Sequence, residues 1–204
     1  MAFENHLQNK QAFVFELDDV IYPEKDYLLQ VYYLFAQFME YGEQMDAGAL
    51  VKSMQNTYFN DGPKNVFDKT SRLFNIPEKY KLNFDLLMIS ARLPLKLLIF
   101  NEVLKFIQEV VMERKHIFIF TNGDPGMQLN KIRQIEWHGL ESYLEVHFAA
   151  ESASKPSAKG LQAILNKHNL KKTNVLMIGT SELDSKCAKN AGVDFLPADK
   201  LLKP

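Results

Sequence analysis

The chain has 204 residues, 47% of them hydrophobic, and a net charge of −1 from 24 basic and 25 acidic residues. That length is enough for one domain with a modest insertion and a core that needs no disulfides, and the single cysteine, Cys187, excludes an internal disulfide and favours a reducing compartment. The balanced charge, the polar N-terminal residues and the shortness of the apolar runs predict a soluble cytoplasmic protein without nucleic-acid or membrane partners.

Short apolar runs that end at turn-forming residues predict buried β-strands. The four clearest cover residues 12–15, 116–120, 146–149 and 174–178, and a weaker fifth covers residues 193–196. Amphipathic helices are predicted between them, for example over residues 101–114 and 157–168, where apolar residues recur at spacings of three and four. Alternating strands and helices predict an α/β fold, a doubly wound parallel sheet with helices on both faces.

The stretch after the first strand has a different pattern. Amphipathic helices are predicted over residues 26–41, 47–59, 64–74 and 78–90, with no strand signal between them. A helical block of this size is too long for an ordinary connection. We therefore predict an all-α domain over residues 24–92, inserted into a core domain made of residues 1–23 and 93–204.

Polar residues follow each of the four clearest predicted strands. They are Glu16 and Asp18 after the first strand, Thr121, Asn122 and Gly123 after the second, Lys155 after the third, and Thr180 and Asp184 after the fourth. Because ligands of doubly wound sheets bind at the carboxyl ends of the strands, we expect Glu16, Asp18, Thr121, Lys155 and Asp184 to converge on one cleft between the sheet and the helical domain.

In this order and on these elements, the four segments resemble the four motifs of the haloacid dehalogenase-like hydrolase superfamily. The closest pattern is that of phosphatase-type members, which carry an α-helical cap after the first motif. The resemblance implies a Rossmann-like core with an all-α cap and a small phosphorylated metabolite as substrate. It implies that Glu16 takes the position of the nucleophile and Asp18 that of the general acid/base. It also implies that Thr121, with Asn122 and Gly123, binds the phosphoryl group, and that Lys155 is the lysine that neutralises its charge.

The resemblance also implies a Mg²⁺ site at Glu16, the carbonyl of Asp18, and Asp184. Two positions depart from the family pattern, since the usual nucleophile Asp is Glu16 and the usual first acid of the fourth motif is Thr180. A longer carboxylate shifts the nucleophile, and a neutral threonine removes one anionic ligand. We therefore expect a phosphatase-type hydrolase with weak or altered activity, with Mg²⁺ weakly bound or absent. Without added Mg²⁺ we expect water or nothing beside Glu16. The alternative is that the ammonium of Lys155 leans toward Glu16 and Asp18.

Two alternatives stay open. The first is a non-catalytic protein that binds a phosphate-bearing ligand or regulates another process on the same scaffold. The second is a metal-independent dehalogenase. Such enzymes carry a hydroxyl residue at the position of Thr180, which favours this alternative, but they lack an acid at the position of Asp18, which counts against it. A large separation between Glu16 and Lys155 would contradict the motif assignment itself.

Overall fold

The computed structural model describes residues 3–202 and divides the chain into two compact units. The first unit comprises the described residues up to Pro23, then Leu98–Gln128, and those from Ile135 onward. The second comprises Glu24–Leu97 and Leu129–Gln134. The second unit begins at the predicted first residue of the helical domain, but it continues beyond residue 92 and includes part of a later helix.

Within residues 3–202 the chain forms seven strands. They are β1 (Ala12–Phe15), β2 (Leu97–Leu98), β3 (His116–Thr121), β4 (Ile135–Glu136), β5 (Leu144–Phe148), β6 (Val175–Gly179) and β7 (Asp194–Pro197). Five of them form a parallel sheet in the order β5-β3-β1-β6-β7, which places β1 at the centre. The predicted parallel α/β fold is confirmed.

The same residues contain ten α-helices. They are α1 (Glu4–Leu7), α2 (Glu24–Glu43), α3 (Ala47–Asp61), α4 (Val66–Phe74), α5 (Lys81–Ser90), α6 (Asn101–Met112), α7 (Pro125–Gln134), α8 (Lys159–Lys167), α9 (Glu182–Ala191) and α10 (Ala198–Leu202). No helix in this part of the chain combines the length and the apolar character needed to cross a membrane.

Helices cover both faces of the sheet in the first unit. On one face, the rings of Phe13 and Phe15 in β1 pack against Phe106 of α6, with centroids 5.2 and 6.1 Å apart. On the other face, Val14 belongs to a buried apolar cluster that includes Leu161 of α8 and further residues of α9. All four residues of β1 are buried, as expected for a central strand with both faces covered.

The second unit is built from α2–α5 and the end of α7. The ring of Phe35 in α2 lies 5.9 Å from that of Phe67 in α4 and 5.2 Å from that of Phe84 in α5. These ring contacts form an aromatic core that joins three helices of the unit. The unit also buries a lysine, Lys131, whose Nζ lies 3.4 Å from a carboxylate oxygen of Glu24.

Several element ends differ from the predicted ones. β5 starts at Leu144 rather than at residue 146, because it pairs with β3 from Ile117 onward, and Ala149 lies in a 3₁₀ turn. α4 and α5 each start after a 3₁₀ turn. Strand pairing and turn geometry set these ends, and neither is visible in a local apolar pattern.

The central strands bring their carboxyl ends to one edge of the sheet. Phe15 of β1 is in register with Ile119 of β3 on one side and with Ile178 of β6 on the other. The residues that follow these positions therefore meet at a common edge.

Candidate active site

Glu16 is the first residue after β1, and its backbone N–H donates to the carbonyl of Ile178 at 2.9 Å. Its side chain is buried. Oε1 accepts hydrogen bonds from the N–H of Leu17 at 3.0 Å and from the hydroxyl of Thr121 at 2.5 Å, and Oε2 pairs with the ammonium of Lys155. Both oxygens at the nucleophile position are thus held by the protein.

Lys155 is almost completely buried and joins two carboxylates. Its Nζ pairs with Glu16, lies 2.5 Å from Oδ1 of Asp184, and donates to the carbonyl of Phe120 at 3.1 Å. Burial lowers the pKa of Lys155, and the neighbouring carboxylate of Asp184 opposes that shift. The expectation that Lys155 leans toward Glu16 was correct. The expectation that it also leans toward Asp18 was wrong, since the second carboxylate that it joins is Asp184.

Asp184 is fixed by the start of α9. Ser181 is the N-cap of this helix, and Oδ2 of Asp184 accepts from the N–H and the hydroxyl of Ser181 at 3.0 and 2.6 Å in a capping box. A Cβ on Gly179 would lie 2.6 Å from the Cβ of Asp184, so only glycine allows this close approach. Burial acts to raise the pKa of Asp184, but Lys155 and Ser181 hold it below its usual value.

These contacts do not fit a Mg²⁺ ion. Glu16 and Asp184 are both paired with the ammonium of Lys155, and the second oxygen of Asp184 is used in the helix cap. Thr180 is exposed and neutral, and Mg²⁺ requires several well-placed oxygen ligands. Among residues 3–202, no group of three or more His, Cys, Asp or Glu side chains is arranged to hold a metal ion.

Asp18 lies in the turn that follows β1. The turn is closed by the N–H of Asp19, which donates to the carbonyl of Tyr22 at 2.9 Å, and Asp19 adopts a left-handed conformation with φ of 58°, which Asp tolerates better than most residues. The hydroxyl of Tyr22 donates to Oδ1 of Asp18 at 2.7 Å. Asp18 therefore remains half-buried at the same edge of the sheet as Glu16.

Gln128 is a site residue that the sequence analysis missed. Its side chain is 1% exposed, and Nε2 donates to Oδ2 of Asp18 at 2.9 Å and to the hydroxyl of Thr121 at 2.7 Å. The only sequence signal is its place in the first turn of α7, soon after the Thr121 segment. Glutamine is common on solvated helix faces, so that place alone does not distinguish it.

Asn122 and Gly123 were predicted to bind substrate. The side chain of Asn122 accepts from the N–H of Lys155 at 2.9 Å and donates to the carbonyl of Lys155 at 3.4 Å. Gly123 has φ of 112° and is exposed. The amide of Asn122 therefore holds the backbone of Lys155, which fixes the point from which the lysine side chain extends.

A sequence profile described as haloacid dehalogenase-like hydrolase matches residues 13–198, which is most of the chain. No curated protein matches the sequence at a significant level. The profile match spans all four segments on which the sequence-based resemblance rests.

Solved structures with the same fold are numerous. A candidate β-phosphoglucomutase from Thermotoga maritima aligns with a TM-score of 0.62 and 16% identity, covering 94% of this chain and 96% of that chain. A magnesium-bound candidate hydrolase from Bacillus subtilis aligns at 0.59 and 15%, covering 91% and 87%. The L-2-haloacid dehalogenase from Xanthobacter autotrophicus aligns at 0.54 and 13%, covering 91% and 76%. At these identities the similarity extends to the fold alone.

Proposed function

The chain belongs to the haloacid dehalogenase-like hydrolase family, and from that membership we propose a phosphatase-type protein that acts on a small phosphorylated metabolite with strongly reduced turnover. The observation that carries this proposal is the contact set at the sheet edge. Glu16 touches both Thr121 and Lys155, and Gln128 connects Thr121 to Asp18. A candidate nucleophile, a candidate acid/base and two phosphoryl-binding groups thus lie within one hydrogen-bonded cluster.

In the proposed reaction, one oxygen of Glu16 attacks phosphorus and the bond to the leaving-group oxygen breaks. Asp18 gives its proton to that oxygen. Asp18 then removes a proton from water, which attacks the acyl phosphate and releases inorganic phosphate and free Glu16. Thr121 and Lys155 hold the phosphoryl oxygens. Because the residues do not fit Mg²⁺, the neutralising charge in this proposal is the ammonium of Lys155.

Two features reduce the rate. In-line attack needs the nucleophile about 3 to 3.5 Å from phosphorus, and a misplacement of about 1 Å lowers the rate on the order of a hundredfold. The extra methylene of Glu16 moves its carboxylate by about that distance. Moreover, Thr121 and Lys155 already donate to Glu16, so a phosphoryl group has to compete for both donors.

The same competition supports a second candidate function. A Glu16 carboxylate that stays paired with Lys155 is a poor nucleophile, so a phosphate-bearing ligand bound through Thr121, Lys155 and the strand-end amides would be held without turnover. The dehalogenase alternative ranks below both. The hydroxyl of Thr180 agrees with it, but the carboxylate of Asp18 stands where the resemblance to dehalogenases predicts none.

The test is hydrolysis of p-nitrophenyl phosphate by the purified chain, with and without Mg²⁺. We expect slow release of phosphate that disappears in Glu16→Gln and Asp18→Asn and persists in Glu182→Gln, which changes an exposed acid. Calorimetric binding of inorganic phosphate with no turnover in any variant would favour the binding protein. Release of chloride from 2-chloropropionate would favour the dehalogenase.

A further inference from the structure

We propose that Gln128 is a positioning residue that holds Asp18 and Thr121 in the relation needed for phosphoryl transfer. This inference rests on the proposed function and deepens it. Nε2 of Gln128 uses both of its hydrogens inside the cluster, one toward Oδ2 of Asp18 and one toward the hydroxyl oxygen of Thr121. A single amide nitrogen therefore joins the acid/base to the phosphoryl-binding hydroxyl.

Local structure directs the amide to that place. The carboxylate of Asp124 accepts from the N–H of Met127 at 2.9 Å, which caps the start of α7, and Pro125 suits the first helical position. The N–H of Gln128 donates to the carbonyl of Asp124 at 3.0 Å. Side chains on a helix lean toward its N-terminus, so Gln128 points back toward the ends of β1 and β3.

The orientation of the amide follows from its partners. Oδ2 of Asp18 accepts in this contact, so the group facing it is the NH₂ of Gln128 rather than the oxygen. The hydroxyl of Thr121 then accepts from Gln128, and its single proton faces Oε1 of Glu16 at 2.5 Å, which is nearer than its other acceptor, the carbonyl of Asn122 at 3.2 Å. The order of donation runs from Gln128 to Thr121 and from Thr121 to Glu16.

The remaining atom of the amide carries a cost. Oε1 of Gln128 is buried and has no hydrogen-bond partner among the described residues, and an unsatisfied buried acceptor costs about 1–3 kcal/mol. An apolar side chain of similar size would avoid that cost. If Gln128 only filled space, methionine would therefore be the more stable residue at this position. Methionine cannot replace Gln128 if its N–H donors are what matters.

Asp18 is oriented from two sides. The hydroxyl of Tyr22 donates to Oδ1, and Gln128 donates to Oδ2. Tyr22→Phe removes only the hydroxyl that donates to Oδ1. It therefore loosens Asp18 and leaves the contact between Gln128 and Thr121 in place. Removing Gln128 affects both Asp18 and Thr121, so the two variants separate the contributions.

The experiment compares Gln128→Met, Gln128→Glu and Tyr22→Phe with Gln162→Met, a control on an exposed position of α8. Crystal structures and kinetics with p-nitrophenyl phosphate are obtained for each variant, both in the parent chain and in a double variant. The double variant, Glu16→Asp with Thr180→Asp, has the family's usual residues at the two positions that depart from its pattern. We expect Gln128→Met to melt at or above the parent temperature while Asp18 moves by about 1 Å and kcat falls about a hundredfold at unchanged KM. Gln128→Glu keeps the shape but puts a carboxylate against Asp18, and the same kinetic loss is expected.

Two results would overturn the inference. One is that Asp18 and Thr121 keep their positions in the crystal structures of both Gln128 variants. The other is that the variants lose kcat only in proportion to a loss of folded protein, which shows a structural role. If Asp18 moves but neither the parent nor the double variant hydrolyses phosphate, the positioning contact stands and the proposed function fails.

Discussion

The ammonium of Lys155 lies 2.5 Å from a carboxylate oxygen of Asp184, and it pairs at the same time with Glu16. One positive charge thus holds two buried carboxylates that come from different strand ends. These are the two carboxylates that the sequence resemblance assigns to Mg²⁺. The arrangement leads to testable consequences for stability, metal binding and rate.

Replacing the lysine should leave two buried carboxylates without a counter-charge. We expect Lys155→Met to lower the free energy of unfolding by about 3–5 kcal/mol at neutral pH, the range found when one partner of a buried ion pair is removed. Added Mg²⁺ should then raise the melting temperature of Lys155→Met more than that of the parent, because a ligand stabilises only the state it binds. Lys159→Met, at an exposed position, is the control. Equal Mg²⁺ shifts in parent and Lys155→Met would contradict the prediction.

The pairing of Asp184 predicts a pH-dependent stability. Its folded-state pKa lies below the usual value, so its ionised form contributes stability that is present above the unfolded-state pKa and is lost as pH falls through the folded-state pKa. Asp184→Asn should therefore be less stable than the parent by about 2 kcal/mol at pH 7, the order expected for hydrogen bonds to a charged group. The difference should vanish in acid.

Urea denaturation of Asp184→Asn and parent across the acidic range measures this difference. Asp68→Asn, which changes an exposed acid in α4, should give a small and nearly constant difference. A gap between Asp184→Asn and parent that persists unchanged in strong acid would show that the charge of Asp184 is not its cause.

Replacing Glu16 and Thr180, the two residues that depart from the family pattern, in one variant should restore phosphatase chemistry. Glu16→Asp shortens the nucleophile and Thr180→Asp adds an anionic ligand, so each is of little use without the other and their effects should be non-additive. We expect Mg²⁺-dependent hydrolysis of p-nitrophenyl phosphate in the double variant at least about tenfold above the parent, which corresponds to about 1.4 kcal/mol of transition-state stabilisation. Asp18→Asn in that background should remove the gain. Ordinary turnover by the parent, with no increase in the double variant, would show that Glu16 is already a working nucleophile.

The close approach at Gly179 can be tested directly. Gly179→Ala places a Cβ 2.6 Å from the Cβ and 2.8 Å from the Cγ of Asp184, so Asp184 has to move from its position beside Gly179. We expect a loss of about 1–3 kcal/mol, typical of an overpacked site, measured by chemical denaturation. Gly42→Ala is the matched control, since nothing lies within 4 Å of its Cβ position in α2 and the helix should gain about 0.5–1 kcal/mol. Similar effects of both substitutions would contradict the steric argument.

Much of the fold could be predicted from the sequence, because the signals are local. The apolar run of β1 was predicted with the bounds that the structure has, and the helical stretch after it begins at Glu24. The ends of β5 and α4 were less predictable. Pairing with β3 starts β5 earlier than its apolar run, and the turn at Gly62 and Pro63 delays the start of α4.

For the site, the sequence by itself determined the residue types at each strand end. It fixed the longer reach of Glu16 and the missing charge at Thr180, which depend on covalent structure alone. Only the tertiary structure decided which carboxylates Lys155 joins, because the choice of Asp184 over Asp18 depends on the side-by-side register of strands far apart in the chain. It also decided the placement of Gln128, because α7 brings its amide, buried, against Asp18 and Thr121. Local patterns encode which groups are present, whereas long-range packing sets which of them meet.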